Sequence, residues 1–277
     1  MAGNAEALSE AVRRRDEIID QLVSGFKAND CEPLGDPSGE LPAEVRALVE
    51  CLRELTPLDE HAVRWDPDSW ARGLESRRDL PDRDRLLSVV ARLAGLTQQE
   101  VGHWIRRREV FDLADGDVVD LFVATMAWGY GRGWGWYRTA KIIELATKTS
   151  GRGDLQLLTE KLKRLAEFAG SGSTVDLFAA WSDTTDPARL RRFGPAFASK
   201  FAYFAGYDRT GGTGPLIADL WVAWALWALA DIWDARTDSA KYIQYLTVAG
   251  RWADDGGCRS DEIERALFYL GPPIRRA

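Results

Sequence analysis

An all-α fold is what this sequence predicts, on three observations. Apolar residues recur at helical spacing in nearly every segment. No run alternates β-branched with polar residues as a half-buried strand would. Proline, glycine and short polar residues fall where helices open and close. The 277 residues, 45% hydrophobic and 29% charged, suffice for one sizeable core or two small ones without disulfides or metal.

Taken in order, residues 5–28 read as a long amphipathic helix. Two more helices are expected at 42–55 and 81–93, each with proline near its first turn. Thr97 and Glu100 have the spacing of a capping box, predicting a helix over 98–107. A helix over 117–128 runs into a glycine cluster between Gly129 and Gly135, and helices at 136–149, 154–168 and 174–181 follow. Asp186 before Pro187 predicts the N-cap and first residue of a very short helix ending at Arg192. Gly194-Pro195 turns the chain into a helix over 196–205, closed by Gly206. A glycine-rich loop over 207–215 precedes an apolar helix over 216–233, and helices at 239–253 and 260–270 complete the chain. The segment 31–40, with two prolines and two glycines, is the one candidate linker; one all-α domain is the simplest organisation.

Composition excludes a good deal of chemistry. Lys+Arg 36 against Asp+Glu 43 gives −7, which argues against indiscriminate polyanion binding. The average hides an asymmetry: residues 1–128 are net −10 and residues 129–277 net +3, so an anionic partner is expected at the second half. Cys31, Cys51 and Cys258 with His61 and His103 form no tight ligand cluster, so no metal site is expected and the thiols read as reduced, in the cytoplasm. The N-terminus lacks a signal-peptide core. Asp219 and Asp231 interrupt the longest apolar stretch, which therefore reads as a buried helix of a soluble protein.

Two lone charges stand out. Lys200 is the only charge in Phe197-Ala198-Ser199-Lys200-Phe201-Ala202-Tyr203-Phe204, and Asp219 is alone in Pro215-Leu216-Ile217-Ala218-Asp219-Leu220-Trp221-Val222. Burying an isolated ammonium or carboxylate costs several kcal/mol unless it is paired. Two such charges in one dry cleft would make a site, because desolvation frees an amine for nucleophilic attack. The structural alternatives are a helix cap for Asp219 and a lysine snorkelling to solvent.

The order of a short hairpin, a lysine and an aspartate further on resembles the helix-hairpin-helix DNA glycosylases, specifically their 8-oxoguanine glycosylase branch. Phe193-Gly194-Pro195-Ala196-Phe197-Ala198-Ser199-Lys200 is similar to that branch's hairpin with its catalytic lysine, and Leu216-Ile217-Ala218-Asp219 to the segment with its catalytic aspartate. Trp136-Tyr137-Arg138-Thr139-Ala140-Lys141 resembles the segment after the family's gap-filling loop. The resemblance spans about 118–233. It implies a glycosylase-like helical domain over 117–277, with the hairpin near 186–206 and an N-terminal helical region, 1–116, packed on it. It also implies Lys200 and Asp219 as catalytic groups, double-stranded DNA with an abnormal base as partner, and a lysine Schiff base that permits AP-lyase cleavage. That chemistry requires no cofactor. The family's hairpin has two glycines where this chain has Ala196 and Ala198, which weakens the case for phosphate or a metal ion there.

A glycine–aromatic segment follows the 117–128 helix. Trp128, Gly129, Tyr130, Trp134 and Trp136, with Trp221, are candidate base-pocket residues: glycines allow close backbone approach and aromatic faces stack an extruded base. Packed core aromatics are the plainer reading. Arg132, Arg138 and Lys141, with Gly194, Ala196 and Ala198 of the hairpin, are candidate DNA contacts. Residues 129–164 carry eight basic side chains against three acidic, including Lys148, Arg152 and Lys161, as a phosphate-binding or merely solvated face. The expected target is an oxidised purine such as 8-oxoguanine or, because bacterial relatives resemble antiviral glycosylases, a glucosylated cytosine of phage DNA. The alternative is a catalytically silent DNA-binding regulator reading DNA through Thr97–Arg108, with Arg106, Arg107 and Arg108 as its basic tail.

Overall fold

In a computed structural model of the protein, residues 2–150 and 155–277 are described, with side chains from residue 6 and excepting 148–150. Helix α1 spans Ala2–Ala28 and α2 Ala43–Leu55. Strand β1 (Ala62–Trp65) precedes α3 (Pro67–Glu75), which Asp66 caps by accepting from Ser69 N at 3.0 Å while Pro67 takes the first helical position. Next come α4 (Arg83–Thr97), β2 (Gln98–Gln99), β3 (Gly102–Arg106) and the single turn α5 (Arg107–Phe111). Asp117 caps α6 (Val118–Tyr130) by accepting from Val119 N at 2.8 Å. Then follow α7 (Gly135–Ser150), α8 (Gln156–Ser171), α9 (Thr174–Ser182), α10 (Pro195–Gly206) and α11 (Leu220–Ala230). Asp238 caps α12 (Ser239–Gly256), and α13 (Ser260–Arg276) closes the chain. The fold is all-α apart from one small antiparallel sheet of order β1-β3-β2. None of the described helices is long and apolar enough to cross a membrane.

The chain divides into two compact units: residues 1–58 with 216–277, and residues 59–215. These limits differ from the expected division at residue 117, because α1 and α2 pack with the C-terminal helices. In the first unit α13 is the centre. Its Ile263, Ala266, Leu267, Leu270 and Ile274 are buried, and so is Arg265, whose guanidinium donates to the carbonyls of Thr56 (2.7 Å) and Leu52 (3.0 Å) at the end of α2. A cation on the last carbonyls of a helix satisfies acceptors that have no intrahelical partner. Arg53 of α2 returns the interaction, donating to Glu262 at 2.5 and 2.6 Å.

In the second unit α6 is buried along its length, and the sheet, α7, α8 and α10 pack on it. The sheet overturns the helix expected over 98–107. Thr97 opens no helix: as the last residue of α4 its hydroxyl donates to the Leu93 carbonyl at 2.8 Å and accepts from the Trp65 indole at 2.9 Å. Gly102, at φ +87°, then turns the chain so that Gln98 pairs with His103 and β3 pairs with β1. Strands of two to five residues are too short to leave an alternating signature. The basic tail goes with them. Arg107 is buried, while Arg106 and Arg108 pair with Glu60 and Arg106 also with Glu109, so Thr97–Arg108 is no DNA-reading helix.

Two further expectations change. The very short helix over 186–192 is a run of turns: Asp183 and Asp186 accept from the backbone amides of Thr185 and Ala188, two residues on, and Arg192 takes φ +67°. The helix over 216–233 opens only at Leu220, since the carbonyls of Leu216 and Ile217 accept from the Tyr242 and Tyr245 hydroxyls at 2.8 and 3.1 Å. Those bonds, both inside the first unit, hold 216–219 extended.

Candidate active site

Lys200 is set by α10. Pro195 at the first helical position follows Gly194, whose backbone is extended, and the helix then runs through alanine and aromatic residues with Lys200 as its only charge. The side chain is 7% exposed. Its Nζ donates to the Ala196 carbonyl, one turn back, at 3.5 Å, and lies 5.7 Å from the centre of the Phe197 ring. Phe197 in turn stacks on Tyr130, with centroids 4.2 Å apart and planes 16° apart. Helix α6 can come this close because residue 129 is glycine. A Cβ there would fall 2.5 Å from Phe197 Cε1 and 3.3 Å from Lys200 Cδ. Gly129, Tyr130, Phe197 and Lys200 thus form one packed group.

Asp219 lies in the other unit and is set by different means. It is the N-cap of α11: Oδ1 accepts from the amides of Trp221 at 3.0 Å and Val222 at 3.2 Å. It too is 7% exposed. Two backbone amides at the start of an eleven-residue helix thus fix the position of the carboxylate. Its strand-like approach is anchored by Tyr242, whose hydroxyl burial pushes far above the usual phenol range. Trp221, half-buried, has the Arg275 guanidinium over its ring at 5.5 Å. Among the described residues no cluster of His, Cys, Asp or Glu is arranged to hold a metal ion.

A family model described as "Putative 8-oxoguanine DNA glycosylase OGG-like protein" matches residues 56–268, from the end of α2 into α13. The chain belongs to that family. No match was found among curated proteins or among solved structures. The OGG-like match takes in both Lys200 and Asp219, places the chain among DNA glycosylases, and makes DNA the partner.

Within this OGG-like chain the glycine–aromatic segment does not form one pocket wall. Trp128 points into the core of its unit, with Phe204 and His61 edge-on at 5.3 and 5.7 Å and the Arg107 guanidinium at 5.3 Å. Gly129 and Tyr130 meet α10. Past Gly131, at φ +56°, the chain turns outward; Trp134 stands in solvent and Trp136 is half-buried against α3. Sequence gives the aromatic spacing but not which ring goes to which side of a helix end.

The expected DNA contacts separate similarly. Arg132, Arg138 and Gly194 are exposed, and Ala196 is half-buried. Ala198 is fully buried inside α10 and offers no surface. Lys141 is tied to Glu144 at 2.9 Å. Lys161 is structural rather than a phosphate contact: its ammonium donates to the carbonyls of Pro187 (2.5 Å) and Arg189 (2.9 Å), stapling the turns before α10 to α8. Burial lowers its affinity for the proton. The side chain of Lys148, and Arg152 entirely, lie outside the described residues.

One residue under the site escaped sequence reasoning. Arg107 donates to the Tyr203 hydroxyl at 2.9 Å and lies over both the Tyr203 and Trp128 rings, bracing α10 against α6 from beneath. In an Arg-Arg-Arg run the buried member carries no local mark.

Proposed function

We propose that this OGG-like chain is a DNA N-glycosylase that rotates an abnormal base out of the duplex and cuts its glycosidic bond with Lys200. The reading rests on one observation above all: the family match covers a lysine that is the sole charge of its helix and is nonetheless buried. Extruding a nucleotide costs a few kcal/mol, least where pairing is already poor. The Lys200 amine, as free base, attacks C1′; the C1′–N bond breaks, and the base leaves with the bonding pair and takes up a proton. The amine nitrogen then gives up one of its two protons, the C1′–O4′ bond breaks with O4′ taking up a proton, and the open sugar is left as a protonated Schiff base. Loss of a C2′ proton from that imine expels the 3′ phosphate, which is the lyase step. Asp219, matching the family's aspartate, is assigned the negative charge that favours the cationic sugar of the transition state. The packed Phe197–Lys200–Gly129 group supports this role, because a nucleophile has to be held in one rotamer to act.

The base we assign is an oxidised purine, 8-oxoguanine, in keeping with the family's description, and the biological setting is DNA repair. Incubation with 8-oxoguanine duplex and with glucosylated phage DNA, followed by detection of abasic sites, tests this. Release from the oxidised duplex is expected. Release from the glucosylated DNA alone would overturn the assignment in favour of antiviral defence. Borohydride reduction is expected to leave the protein covalently attached to oxidised DNA; base release without such an adduct would remove the lyase step.

A further inference from the structure

Trp134 sits on the short turn between α6 and α7 with its side chain 73% exposed. An aromatic face left in water is available for a base to stack on. Its ring is stacked on Trp136, centroids 6.2 Å apart and planes 21° apart, and Tyr137 stands edge-on to both at 6.3 and 5.8 Å. Trp136 is fixed in turn by Gly73 of α3, where any Cβ would fall 2.2 Å from Trp136 Cδ2. The ladder of rings is therefore anchored at its base and open at its top.

Cations border it. Arg138 and Lys141 follow Trp134 by four and seven residues, one and two helical turns along the same face. Arg77 and Lys141 lie over the Tyr137 ring at 5.6 and 5.9 Å, and both donate to Glu144, which is 8% exposed. Burial alone would raise the Glu144 carboxyl; the hydrogen bonds from Lys141 and Arg77 outweigh it and hold it below its ordinary value. A cleft of about 430 Å³ beside them is lined by these three side chains with Ser76, Arg78 and Asp79. The carboxylate that fixes the cations is thus the inner member of the group, while Arg78 and Arg138 are exposed, as is Asp79.

We infer that this face binds an unpaired DNA strand, with a base stacked on the open side of Trp134 and phosphates against Arg138, Lys141 and the Arg77–Arg78 edge. The inference rests on the reading that the chain acts on DNA, and names the form of DNA this surface takes. A ring ladder open at one end needs a base whose own face is open. In an intact, undamaged duplex those faces are covered by neighbouring base pairs except at the two ends, whereas a single strand presents every one of them at little cost.

Fluorescence anisotropy of the full chain, with an undamaged labelled single strand and with its blunt duplex, tests this without requiring catalysis. Trp134→Ala is expected to weaken single-strand binding roughly ten-fold and to leave duplex binding nearly unchanged. Arg138→Gln is expected to flatten the plot of log affinity against log salt for the single strand by about 0.7. Both side chains are exposed, so both variants keep the fold. Unchanged single-strand affinity in Trp134→Ala, or an equal loss on duplex, would overturn the inference. That failure would leave release of 8-oxoguanine intact. Failure of the glycosylase reading would instead abolish base release and leave the Trp134-dependent single-strand binding in place.

Discussion

Lys200 and Asp219 are buried to the same degree, each at 7% exposure, but the surroundings that hold them differ. The carboxylate has an evident structural duty: it caps α11 through two backbone amides, and a protein with no chemistry to do would still keep an aspartate there. Lys200 is held by different contacts: its Nζ donates to the Ala196 carbonyl at 3.5 Å and lies 5.7 Å from the centre of the Phe197 ring, in a helix that carries no other charge. The difference teaches that equal burial does not mean an equal role: the cap is a sufficient structural reason for the aspartate, so substitutions rather than burial have to separate structure from chemistry.

The sharpest way to break the comparison is Lys200→Gln. Base release is expected to fall at least about 10³-fold with the fold retained, measured by single-turnover excision beside a thermal melt. Normal release would put Lys200 among the structural charges.

Asp219 needs two variants, since it has two roles to separate. Asparagine caps a helix almost as well as aspartate, so Asp219→Asn should keep stability within a few tenths of a kcal/mol yet lose roughly 10²-fold in base release. Asp219→Ala should lose about 1 kcal/mol of stability as well. If asparagine proves fully active, the carboxylate is a cap and nothing more.

Gly129→Ala probes the lysine's surroundings without touching either charge. The added methyl meets Phe197 at 2.5 Å, so the ring has to shift, at a cost of about 1–3 kcal/mol read from a denaturant midpoint. An unchanged midpoint would mean that α6 and α10 have room for the methyl between them.

The smallest effect concerns Glu144. Hydrogen bonds from Lys141 and Arg77 hold its folded-state carboxyl below the ordinary value of 4.5, against the opposing pull of burial. A depressed folded value means stability that is present above pH 4.5 and is lost as pH falls through the folded value. Glu144→Gln should therefore cost about 1 kcal/mol at pH 7, and the gap from wild type should narrow as pH falls below the ordinary carboxyl value. A deficit independent of pH would assign the loss to packing instead.

Much of the molecule is legible in its sequence. The helices over α6, α8, α9, α10, α12 and α13 begin within two or three residues of where caps and periodicity put them. Lys200 and Asp219 were conspicuous as single charges in apolar segments, and both are buried. What failed to show were features made by distant partners. Thr97 looked like a cap until Trp65, thirty-two residues away, claimed its hydroxyl. Leu216 and Ile217 looked helical until two tyrosines of α12 took their carbonyls. Trp128 and Trp134 looked equivalent, although one is enclosed and the other lies in water.

Sequence by itself determined the helical class and the two conspicuous charges, because periodicity, capping and the cost of isolated charge are local properties of a short stretch of chain. Tertiary structure alone decided that α1 and α2 join the C-terminal helices and that 98–106 pairs as strands. It also decided that Trp134 faces outward and that Lys161 staples a turn. Each of those outcomes turns on which remote group reaches a given donor, acceptor or ring first, and no window of sequence records that competition.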